Sequence, residues 1–142
     1  MGVWEDELWR LTASLSAEVP GFCYLEPKRH VRDVTALAGD EARTFGSVLA
    51  RVCTVLRDVT GAELVYVYVF GGGVPHLHVH LAPHRAGDAL NDQMVKGDVV
   101  EERLPSGASR IVSEQFPPLA PELLRGVAER IREALAPGGA TA

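Results

Sequence analysis

Pro75-His76-Leu77-His78-Val79-His80-Leu81-Ala82-Pro83-His84-Arg85 holds three of the chain's five histidines at alternate positions. On a strand, alternate side chains share a face, so His76, His78 and His80 line one side while Leu77, Val79 and Leu81 turn into a core. A lone histidine in such a strand is ordinarily structural. Packing has no use for a row of imidazoles where Thr or Ser would serve. Two chemistries want the row. The first is a metal site, since neutral imidazole is the commonest transition-metal ligand. Yet at ~3.3 Å per residue His76 and His80 lie ~13 Å apart on a straight strand, while zinc needs each nitrogen within ~2.1 Å. No Asp, Glu or Cys group at ligand spacing supplies a missing donor, so no metal is expected. The second is nucleophilic attack by imidazole on an extended substrate such as a phosphate chain. An unperturbed imidazole, with a pKa near ~6.5, keeps a lone pair at neutral pH, and its neighbours can supply hydrogen bonds, protons and partial positive charge.

Outward from this segment, Gly71-Gly72-Gly73 stands just before it, where backbone N–H groups could approach anionic oxygens without Cβ interference; a turn is the plainer reading of the same triplet. Leu64 to Phe70 is an apolar, branched and aromatic run that reads as a buried strand, and Val74 to Leu81 alternates again, so a hairpin of two core strands is expected. Before it, Phe45, Val48, Leu49, Val52, Leu56 and Val59 form one face of a helix from Asp40 to Thr60. Arg43, Ser47, Arg51 and Asp58 lie on the other face, acids stand at its start, and Gly61 is placed as a left-handed stop. Trp9 to Leu15 and Phe22 to Leu25, separated by Val19-Pro20-Gly21, read as an antiparallel pair. Residues 86 to 118 show no sustained period and read as mostly loop or short irregular pieces. A last helix is expected from Pro121 to Leu135, with Leu123, Leu124, Val127, Ala128, Ile131 and Leu135 on one stripe.

The 142 residues leave room for one domain, 1–142, and hydrophobic residues at 46% against 23% charged fit a chain that buries a core. Nineteen acidic and fourteen basic side chains give a formal charge of −5, which argues against a nucleic-acid partner. Cys23 and Cys53 form no CxxC pair and read as buried, reduced thiols. Acids stand at the start where a signal peptide would carry basic residues, no apolar run approaches the ~20 residues of a membrane span, and a cytoplasmic location is expected.

His76-Leu77-His78-Val79-His80-Leu81-Ala82 resembles the signature of the histidine triad (HIT) family of nucleotide hydrolases and transferases, three histidines alternating with apolar residues. The resemblance runs over roughly residues 3 to 85, through an early Trp-Glu-Asp segment, Pro20-Gly21, the Pro27-Lys28-Arg29-His30-Val31 exit, the long helix and the histidine segment. Residues 86–142 add the loop and the C-terminal helix. It implies an α+β, HIT-like fold: a five-stranded antiparallel sheet with a long central helix and a C-terminal helix, usually in a homodimer. It further implies a nucleotide or nucleotidylated small molecule as partner and attack at an α-phosphate through a nucleotidyl-histidine intermediate, with no cofactor. His78 would be the nucleophile, His80 would lie near the scissile bridging atom, and His76 would help fix the imidazole row. Gly71, Gly72 and Gly73 are the candidate phosphate contacts, and Ser14 stands where members place a ribose-binding Asp or Asn. Phe22 replaces a fourth histidine that many members carry after Pro-Gly, and His84-Arg85 either meets substrate or ends the strand. The competing reading is a catalytically weak nucleotide-binding or protein-interaction module on the same fold.

Overall fold

The alternation of apolar residues along three short segments builds one face of a sheet. In the computed structural model, which describes residues 1–70, 73–90, 99–113 and 116–138, strands β1 (Gly2–Glu5), β2 (Trp9–Ala13), β3 (Cys23–Pro27), β4 (Leu64–Tyr68) and β5 (Val79–His84) form an antiparallel sheet in the order β1-β2-β3-β5-β4. Trp9, Leu11, Ala13, Cys23, Leu25, Val79 and Leu81 all lie on one side of it and are almost fully buried. Helices α1 (Gly39–Thr60) and α2 (Pro121–Leu135) cover that side with Val52, Leu56, Val127, Ala128, Ile131 and Leu135. Trp9 ties sheet to helix twice, by stacking on Phe45 at 5.4 Å and by donating Nε1–H to Thr44 Oγ1 at 3.0 Å. The architecture is the expected α+β arrangement.

Both helices follow their sequence signals. Asp40 and Glu41 occupy the first turn of α1, where negative charge is favourable, and Gly61 closes it at φ 68. Pro121 opens α2, and Arg51 of α1 donates to the Leu135 carbonyl at its end. Leu123 departs from the expected stripe: it is 48% exposed, and its neighbour Leu124 takes the inward place at the start of the helix.

Other expectations are corrected. Leu64 to Phe70 is no buried strand. β5 pairs with β3 as well as with β4, which leaves β4 at the edge, with Leu64 43% and Val67 40% exposed. The expected second strand over Val74 to Leu81 begins only at Val79: its pairing with β3 stops at Leu25 opposite Val79, and β4 ends at Tyr68 opposite His80. Residues 86 to 118 are not all loop: β6 (Val99–Arg103) and β7 (Ser109–Ser113) pair as a separate hairpin, turned at Gly107 with φ 86. β1, which no periodicity announced, pairs with β2 through an irregular register. Cys23 is buried and Cys53 half-buried, both as free thiols. No described helix is long and apolar enough to cross a membrane.

Candidate functional site

The face of the sheet opposite the helices carries the even-numbered residues of β2 to β5. Register sets Thr12 beside Tyr24, Tyr24 beside His80, and His80 beside Tyr68, so one row of side chains crosses four strands. His80 sits within this row as in a cage. Its ring stacks on Tyr68 at 4.8 Å and 8°, and Phe22, Tyr24 and Phe70 meet it edge-on at 5.2–6.0 Å. His80 Nδ1 donates to the Tyr68 carbonyl at 3.3 Å.

His78 lies next to it, ring centroids 4.9 Å apart, although it stands outside the strand. Alternation survives without the ladder, because Leu77 is buried at 1% on the core side and carries the backbone with it. His78 Nδ1 lies 2.8 Å from the His76 carbonyl. A carbonyl oxygen can only accept, so Nδ1 holds the proton and, in the neutral ring, the lone pair sits on Nε2. A short backbone turn therefore fixes the tautomer of the middle histidine.

His76 is held differently. Its Nε2 is 3.9 Å from Glu26 Oε1, and the other oxygen of Glu26 is 3.9 Å from Arg10 Nε. The His76 ring stacks on His30 at 4.9 Å and 22°, and its Nδ1 is buried with no hydrogen-bond partner. The triad is thus contiguous, but each member has its own kind of support.

The tyrosines of the wall stay protonated. Burial, then Tyr24 and Glu18, push the Tyr68 phenol up to about 12. Burial, then Glu18 and Glu26, also raise that of Tyr24. Both phenols remain hydrogen-bond donors across the physiological range.

Of the other expected site residues, Gly71 and Gly72 lie outside the described residues. Gly73 is exposed, and nothing crowds the position of its missing Cβ. Ser14 does not join the imidazoles: its N–H bonds to the Phe22 carbonyl two strands from β5, about 10 Å across the sheet. Phe22 is 1% exposed and belongs to the small cluster of Ala17, Val19, Ala82 and Leu90 beneath the row. His84 and Arg85 end the strand. His84 Nδ1 bonds Asp88 Oδ1 at 2.9 Å, Asp88 Oδ2 accepts the Arg85 N–H, and the Arg85 guanidinium caps the Thr60 carbonyl at the end of α1. Among the described residues no group of three His, Cys, Asp or Glu side chains is arranged to hold a metal ion.

Tyr24, Tyr68, Phe70, Glu26 and His30 are contacts that sequence reading did not assign to the site. The alternation of Tyr66 and Tyr68 put both on one face; that the face was the histidines' own depended on strand register.

The model of the HIT domain matches residues 2–87. No curated protein matches the chain. Among solved structures, a histidine triad protein from Bradyrhizobium japonicum superposes with a TM-score of 0.70 at 20% identity, over 93% of this chain and 87% of that one. A zinc-bound histidine triad family protein from Mycobacterium smegmatis gives 0.57 at 19% identity, over 94% and 86%. The NitFhit protein of Caenorhabditis elegans gives 0.57 at 27% identity, over 66% of this chain and 24% of that one. With the family match spanning more than half of its length and the imidazole row at the head of β5, the chain belongs to the HIT domain family.

Proposed function

We propose that the protein is a nucleotide hydrolase or nucleotidyl transferase that works at an α-phosphate through His78. The observation that carries this reading is the His78 Nδ1–H bond to the His76 carbonyl, which leaves Nε2 as the nucleophile. Nε2 attacks the α-phosphorus, and the bond from phosphorus to the bridging oxygen or nitrogen breaks. The leaving group takes its proton from solvent on the side of His80. Positive charge that develops on the His78 ring is shared with the carbonyl through Nδ1–H. Water then attacks the nucleotidyl-histidine, releases the nucleoside monophosphate and restores His78. His76 holds the row, while the phenols of Tyr24 and Tyr68 stand as donors along the wall. Gly71, Gly72 and Gly73 are proposed phosphate contacts, and Ser14 a contact farther along the ligand.

The chain works as one domain in this proposal, because α2 shares the core of β2, β3 and β5. It acts in the cytoplasm, with a nucleotide or nucleotidylated small molecule rather than nucleic acid as partner. It forms a homodimer along the exposed edge of β4, where unpaired backbone groups and Leu64 and Val67 offer a place for a second strand.

Brief exposure to dinucleoside polyphosphates, nucleoside phosphoramidates and aminoacyl adenylates, followed by mass spectrometry, tests the reaction. A nucleotidyl adduct on His78, absent from His78→Ala, is the expected result. No turnover of any of them, with His78→Ala indistinguishable from wild type, overturns it. Phe22 at the place of a fourth histidine supports a second reading, a nucleotide-binding module with weak catalysis. Calorimetric binding that survives His78→Ala without product would select that reading.

A further inference from the structure

The segment Pro27-Lys28-Arg29-His30-Val31 leaves β3 beside the triad, and four of its residues have plain structural duties. Pro27 pairs with Trp9, Lys28 faces Glu5 at 3.2 Å, and Arg29 binds Glu41 through Nε at 2.9 Å. Val31 is buried, and its carbonyl accepts the Leu77 N–H at 2.7 Å. His30 alone is exposed without such a duty, and its ring lies on that of His76. We propose that His30 is a positioning residue for the nucleophile, acting through His76.

The path is short. Residues 76 to 78 precede β5, so no ladder holds them, and the Leu77–Val31 bond fixes only their core side. On the site side, His76 has a carboxylate at 3.9 Å and an unpartnered Nδ1, which leaves its plane set chiefly by the stack on His30. The His76 carbonyl is the acceptor that selects the His78 tautomer. Without the stack, the site side of this unladdered segment has no fixed anchor; a shift of the backbone at 76 then lengthens that bond, and the proton on His78 exchanges between the two nitrogens. His30 thus guards the lone pair on Nε2 without touching it. The requirement is for a flat ring at residue 30, since a face-to-face contact needs a plane rather than a charge.

This rests on the reading of His78 as the nucleophile, so its test needs a readout that turnover does not supply. Nitrogen NMR of the protein labelled at histidine reports the tautomer of each ring in wild type, His30→Ala and His30→Phe. His78 is expected as the Nδ1–H tautomer in wild type and in His30→Phe, and as an averaged mixture in His30→Ala. With a substrate from the panel above, kcat of His30→Ala falls roughly 10- to 100-fold at unchanged KM and is largely restored in His30→Phe. A His78 spectrum in His30→Ala identical to wild type overturns the proposal, as does a His30→Phe protein as disturbed as His30→Ala. Absence of turnover in the wild type defeats the catalytic reading instead, and the tautomer measurement still decides the role of His30. His30 is exposed, so the variants are expected to unfold at the wild-type temperature.

Discussion

Gly21 shows how a single missing side chain lets the turn into β3 close against the ends of the helices. Its φ is +76, and an added Cβ would come within 2.6 Å of Thr60 Cγ2. Gly21→Ala is therefore expected to destabilise by more than ~1 kcal/mol in urea unfolding, through both backbone strain and the clash. Adding Thr60→Ser removes the methyl but leaves the strain, so the double variant should recover only part of the loss. Full recovery, or none, contradicts that division. Beside it, Phe22 fills a position under His80, and Phe22→Ala is expected to cost about 3–5 kcal/mol. The three histidines were legible as one face because a two-residue period needs no partner strand to be read. Their supports were not: Glu26 and His30 are some 50 residues away in sequence and meet His76 only because β3 pairs with β5.

Among the elements, α1 and α2 were legible almost to the residue, since an amphipathic stripe between an acidic start and a glycine stop leaves few alternatives. β4 was misread for a physical reason. A strand apolar on both sides resembles a central one, but here one side packs on the helices through Val65 and the other walls the site with Tyr66 and Tyr68. That composition at an edge leads to a second prediction. Val67→Lys, on the exposed edge, is expected to convert the proposed dimer into a folded monomer in sedimentation velocity. A wild type that sediments as a monomer at all concentrations removes the edge from consideration. The hairpin of β6 and β7 was hidden because Val99-Val100-Glu101-Glu102-Arg103 does not alternate; only Pro105-Ser106-Gly107 marked its turn.

For the molecule as a whole, the two thiols and one ion pair give global readouts. Burial pushes Cys23 up to about 12 and Cys53 up to about 11, so neither presents appreciable thiolate at neutral pH. Labelling by a disulfide reagent should be slow in the native state and rise with the denaturant transition; fast labelling of Cys23 under native conditions would contradict its placement in the core. The Arg29 guanidinium, hydrogen-bonded to Glu41, holds that carboxyl below its ordinary value of 4.5. A depressed carboxyl stabilises the fold fully above its unfolded pKa and loses that contribution as pH falls through the folded one. Glu41→Gln should therefore weaken the protein at pH 7 and flatten the loss of stability on acidification below about pH 4.5, as followed by thermal melts.

Tyr68 belongs to two surfaces at once. It ends the edge strand, and it also stacks on His80 and accepts its Nδ1–H. A neighbour laid along β4 thus bears on a residue that grips an imidazole of the site, with no intervening layer to absorb the strain. Dilution becomes an experiment on chemistry: with the proposed reaction and homodimer, specific activity per chain should fall as the protein is diluted from dimer to monomer, even with substrate saturating.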